Sequence, residues 1–143
     1  MFLKKIFTIL FFFSALFAQS QSNSTVGEYF KKLGGEEHLI EYTLTLREDG
    51  TFTFHFHRDH KASIPVITNK YGKGTWSMDG KVVSFFANEQ GDFDEKHTLD
   101  FNNSRARFIT KSPRDKTDRV IKTRLKFFES EIFWIEGLEI IKI

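Results

Sequence analysis

The chain has 143 residues, with 21 Lys or Arg against 19 Asp or Glu, and no cysteine. Near-balanced charge excludes a general polyanion binder, and the missing thiols exclude both disulfides and lipid attachment through a cysteine. Stability must then come from burial, for which the 12 of 18 phenylalanines that lie after residue 20 are the obvious means.

Residues 1–20 have the form of a secretory signal peptide. Lys4 and Lys5 precede the apolar run Ile6 to Phe13, and Ala18 and Ser20 occupy small-residue positions for cleavage after residue 20. The apolar stretch from Ile6 to Ala18 is about a dozen residues, short of the ~20 that a spanning helix needs. The expectation is a periplasmic or extracellular protein with no membrane span once the leader is removed. Loss of Lys4 and Lys5 leaves 19 basic residues against 19 acidic ones in residues 21–143, which suit a single domain.

Residues 24–35 admit two readings. Thr25 and Glu28 have capping-box spacing ahead of Gly34-Gly35, which fits a short helix. Gly27-Glu28-Tyr29-Phe30 fits a first strand instead, favoured because a meander needs a partner to close against. From residue 40 the period is two. Ile40, Tyr42, Leu44 and Leu46 alternate with polar residues, Asp49-Gly50 turns the chain, and Phe52, Phe54 and Phe56 alternate with Thr51, Thr53, His55 and His57. A second hairpin reads from Gly74 to Met78 and from Lys81 to Ala87 about Asp79-Gly80, with either Val83/Phe85 or Val82/Phe86 facing inward. Further strands are expected at 96–102, 105–111, 119–128, 132–136 and 138–143. The fold class is therefore all-β: an antiparallel up-and-down meander of about eight or nine strands closing into a small barrel, which hides both sheet edges. An open sandwich is the alternative.

The run Leu44-Thr45-Leu46-Arg47-Glu48-Asp49-Gly50-Thr51-Phe52, followed by Gly74-Thr75-Trp76-Ser77-Met78-Asp79-Gly80, resembles small exported bacterial lipocalin-like proteins. Gly27-Glu28-Tyr29 stands where those proteins carry an opening Gly-x-Trp, with tyrosine in place of tryptophan. The resemblance covers residues 27–87 and rests on turn and core features. It implies a barrel whose interior or mouth holds a small apolar ligand, and it points to no catalytic residue.

Alternation turns Tyr42, Phe52, Phe54, Phe56 and Trp76 inward, making them candidates to line a ligand cavity or, equally, to fill a solid core. The segment from Arg58 to Tyr71 carries Ile64-Pro65-Val66-Ile67, a patch able to fold over one mouth as a lid. His55 and His57 share a strand face and His60 follows; these are weak metal candidates, since a closed site needs third and fourth ligands. Between Arg105 and Lys126 nine basic residues face only Asp115 and Asp118. Alternation puts Arg105, Arg107, Lys122, Arg124 and Lys126 on one outer face, where like charges oppose across strands. Flanking acids at Asp100, Glu129, Glu131, Glu136 and Glu139, or an anionic envelope component or protein, would compensate them.

Nucleic acid fits poorly with an exported chain of balanced charge. No Gly-x-Ser-x-Gly, His-Glu-x-x-His or phosphate-binding glycine loop occurs, and Asp92 and Asp94 read as a solvated turn. The expectation is a non-catalytic binding protein without a cofactor, holding a small apolar ligand; the alternative is an interaction module docking through its basic face.

Overall fold

The computed structural model describes residues 24–143, so the leader at 1–20 lies outside the described residues. Eight strands follow one another around a closed antiparallel barrel. They are β1 (Gly27–Gly34), β2 (His38–Leu46), β3 (Thr51–His60), β4 (Ile67–Asp79), β5 (Val82–Phe86), β6 (Ser104–Ile109), β7 (Arg124–Glu129) and β8 (Glu139–Lys142). The first segment is a strand, as a closing meander requires.

Turn chemistry sets the hairpins. Asp49 Oδ1 accepts from the Thr51 backbone at 2.9 Å and from its hydroxyl at 2.6 Å, while Gly50 takes a φ of 83° that side chains rarely adopt. The resulting β2/β3 register pairs Tyr42 with Phe56, Leu44 with Phe54 and Leu46 with Phe52. Directly opposed residues share a face, so one register decision sends all six inward. Trp76 then donates its indole N–H to the Arg47 carbonyl at 3.1 Å, tying β4 to the same turn. On β5, Val83 and Phe85 are the buried pair and Phe86 is exposed.

Two expected strands are not strands. Segment 96–102 belongs to the long β5/β6 connection and makes only a bridge from His97 to Tyr71. Its Thr98 and Leu99 amides both bond the Tyr71 carbonyl, leaving no ladder to extend. The segment nevertheless buries Phe101 completely. Residues 132–136 instead coil into a tight turn, with the Ile135 amide bonded to the Ile132 carbonyl at 2.9 Å. A third expectation is shortened: β7 begins at Arg124, and 119–123 approach it as irregular chain.

Phe101 sits at the centre of the interior, its ring centroid 4.9 Å from Phe54, 5.3 Å from Phe52 and 6.0 Å from Phe85. Phe85 in turn stacks on Phe127 at 5.3 Å. Space for this column comes from β4, where a Cβ on Gly72 would lie 2.7 Å from the Phe101 ring. The barrel closes where β8 meets β1 through only two registered pairs, Tyr29 with Lys142 and Phe30 with Ile141. At the end away from the β1/β2 turn, Thr25 is buried. The Tyr29 hydroxyl donates to its carbonyl at 2.6 Å, and its own hydroxyl donates to Met78 Sδ at 3.1 Å. Burial pushes the Tyr29 phenol pKa well up, so it remains a neutral donor.

Phe101→Ala should cost about 3–5 kcal/mol, as a fully buried ring in any core strand would, although Phe101 lies outside every strand. Urea denaturation against Phe133→Ala, a residue 86% exposed and expected to change stability by less than about 0.5 kcal/mol, measures the difference.

Candidate functional site

Aromatic rings pack the interior between the phenylalanine strands, while the barrel end formed by the β1/β2, β3/β4, β5/β6 and β7/β8 connections holds a cavity. There the inner faces of β2, β3 and β4 diverge around a cavity of about 590 Å³, within the ~300–1,000 Å³ range of small-molecule sites. Register places its rows. Tyr42, Phe56 and Lys70 lie at one level, Ile40, Arg58 and Thr68 at the next, and His38 opposes His60 at the rim. Pro65 contributes from the β3/β4 connection.

Trp134 completes the floor. Its ring centroid lies 5.0 Å from Phe56, 6.3 Å from Tyr42 and 6.2 Å from Phe54, with Lys70 Nζ 5.9 Å above it. Sequence alternation read 132–136 as a strand and so missed this residue; only the turn swings the indole across the mouth. A signal was present in Gly137, which takes a φ of 86° and marks a chain reversal immediately after Trp134.

Of the five cavity candidates, Tyr42 and Phe56 line the site. Phe52, Phe54 and Trp76 are packed in the solid core. Of the patch expected as a lid, Pro65 lines the cavity, while Ile64 is 99% exposed. Leu33, Ile64, Val66, Ile67 and Phe133 nevertheless leave an exposed apolar rim around this same end.

Arg58 and Lys70 bring positive charge to the site. Arg58 donates through Nη2 to Thr68 Oγ1 at 3.2 Å, while its Nε is buried without a partner. No Asp or Glu lines the cavity. Among the described residues, neither Arg58 nor Lys70 has a carboxylate within salt-bridge distance.

The histidine candidates separate. His60 stacks on His38 at 4.3 Å at the rim, while His55 and His57 lie on the outer face. Asn69 Oδ1 stands 2.8 Å from His55 Nε2 and 2.9 Å from His57 Nδ1, which requires a proton on each facing nitrogen. His55 also stacks on Tyr71 at 4.4 Å. Among the described residues no group of three or more His, Asp or Glu is placed to hold a metal.

The basic face is largely compensated from within. A bulge between Arg105 and Ala106 pairs Arg105 with Glu129 and Ala106 with Phe127, skipping Phe128. Arg105 thereby forms an ion pair with Glu129, and Arg124 forms one with Glu139. Arg107 lies 5.7 Å over the Phe128 ring. Only Arg107 and Lys126 oppose each other directly as like charges, and Lys126 has Glu139 across its other edge. The expectation of a whole ridge of opposed cations fails because the register sets Arg124 opposite Ile109, and the bulge gives Arg105 Glu129 as its partner. Lys122 precedes β7 and belongs to neither ladder.

Asp94 organises the β5/β6 connection as a turn, while Asp92 accepts from the Asn88 amide at 2.7 Å. The Asp94 carboxylate accepts from the His97 and Lys96 amides at 2.7 and 2.9 Å and from the His97 ring, with Lys73 at 3.4 Å. These donors, the His97 amide foremost, hold its pKa well below the usual carboxylate range. Comparison with known protein families, with curated proteins and with solved structures finds no match.

Because the folded-state pKa of Asp94 is depressed, its contribution to stability is present above the unfolded carboxylate pKa of about 3.9 and is lost as pH falls below it. Urea midpoints measured in steps from pH 5 to pH 2 should therefore fall less steeply in Asp94→Asn than in the native chain.

Proposed function

We propose that this chain is an exported, non-catalytic binding protein that holds a small apolar ligand at the open mouth of its barrel. The observation that carries the reading is the aromatic floor of Tyr42, Phe56 and Trp134 beneath a cavity of about 590 Å³. Three rings on separate elements converge there and line the cavity wall. The reading assigns the ligand to the mouth rather than the interior, since the column around Phe101 fills the interior. Leu33, registered opposite Ile40, continues the same inner face toward solvent and is exposed there.

Docking through the basic outer face is the weaker alternative. Its requirement is a set of unpaired cations, and Arg105 and Arg124 already have carboxylate partners.

N-phenyl-1-naphthylamine, a neutral apolar fluorophore, should bind saturably with one-to-one stoichiometry. Trp134→Ala should weaken it about tenfold, the equivalent of an aromatic contact of about 1.4 kcal/mol. Phe86→Ser, on the outer face, should leave it unchanged. Non-saturable binding, or equal loss in both variants, would defeat the reading.

A further inference from the structure

We infer that the ligand is a single-chain or flat amphiphile bearing one acidic group, whose anionic head meets Arg58 and Lys70. The inference rests on the apolar-ligand reading above and adds the chemistry of the head group.

Strand parity is the first support. The cavity wall is built from β2, β3 and β4, with β1 alongside, and these four strands contain the carboxylates Glu28, Glu41, Asp59 and Asp79. Register puts every one on the outer face. Glu28 opposes Thr45, Glu41 opposes His57, Asp59 opposes Leu39, and Asp79 alternates with the inward Met78. The inner face instead carries Lys31 opposite Tyr42, Arg58 opposite Ile40, and Lys70 opposite Phe56. These strands thus turn three cations and no acid inward, while Lys32 and Lys73 share the outer face with the acids. A cavity wall that served only to close the barrel would have no reason to hold cations while all the acids of the same strands face the other way.

The second support is the state of Arg58. Its guanidinium offers five N–H donors in a planar fork, of which one bond, to Thr68 Oγ1, is made, while the buried Nε has no partner. A guanidinium left this way at the wall of an apolar cavity is poorly satisfied. A carboxylate or comparable oxyanion matches its fork bidentately. Lys70, exposed and one level deeper, stands over the Trp134 ring and can add a second positive charge to the same oxyanion. The apolar body of the ligand would lie on Tyr42, Phe56 and Trp134. A head group at Arg58 and a body on these rings occupy adjacent levels of one cavity, so one molecule satisfies both.

Isothermal titration with three dodecyl compounds below their micelle concentrations tests head-group choice on the intact protein. Dodecanoate should bind at least tenfold more tightly than 1-dodecanol at low ionic strength, and dodecyltrimethylammonium should bind more weakly than either. Added salt should narrow the gap, as screening requires. In Arg58→Gln/Lys70→Gln the preference for dodecanoate should vanish while 1-dodecanol binding stays within about twofold. Lys70→Gln alone, at an exposed position that carries no core packing, should lower the preference a few-fold. Equal binding of dodecanoate and 1-dodecanol by the native protein would overturn the charged-head inference but leave the apolar-ligand reading standing. A preference that survives the double variant would overturn the assignment to Arg58 and Lys70. Failure of all three compounds and of the neutral fluorophore would remove both readings together.

Discussion

The constraint on which the rest of this molecule depends is the filling of its interior by phenylalanine. An eight-stranded barrel is wide enough to be either solid or hollow, and here Phe101 decides which. It enters from a connection rather than from a strand, and its ring meets Phe52, Phe54 and Phe85 within 6.0 Å. The glycine at 72 on β4 leaves the space that the ring occupies. Without disulfides, this column is the principal internal brace holding opposite walls of the barrel together.

A solid centre moves any binding role outward. The strands continue past the column toward one end, so their inner faces emerge there with nothing packed against them. The same alternation that buries Leu44 and Phe54 then delivers Ile40, Arg58 and Lys70 to an open mouth. Core and candidate site are consecutive stretches of the same inner faces, distinguished only by whether Phe101 reaches them. Two features are added from elsewhere: Pro65 from the β3/β4 connection and Trp134, brought across the opening by the turn between β7 and β8.

Much of this was legible in the sequence because period-two alternation and Asp-Gly turns act locally. The β2/β3 hairpin follows from residues 40–57 alone, and barrel closure follows from the need to hide two edges. What could not be read depends on non-local contacts. Segment 96–102 alternates like a strand, yet its Thr98 and Leu99 amides both bond the Tyr71 carbonyl, and it is left with one bridge. Residues 132–136 also alternate, but bonds within the segment turn it back on itself. The bulge beside Arg105 is equally silent in sequence, although it decides that this arginine meets Glu129 instead of Phe128. Candidate residues followed the same division: Tyr42 and Phe56 were legible as inward-facing, whereas Trp134 required the turn.

The seam between β1 and β8 has a bearing on how the molecule is made. These strands lie at opposite ends of the described chain and share two registered pairs, supplemented by the Ile143 amide bonded to the Glu28 carbonyl at 2.9 Å. Synthesis produces β1 first and β8 last, and contacts so distant in sequence form late because of the entropy of joining the ends. Until then β1 presents an unpaired strand edge. A nascent or unfolded chain therefore carries a template for pairing with its neighbours, and the speed with which β8 docks determines how long that edge stays open to aggregation.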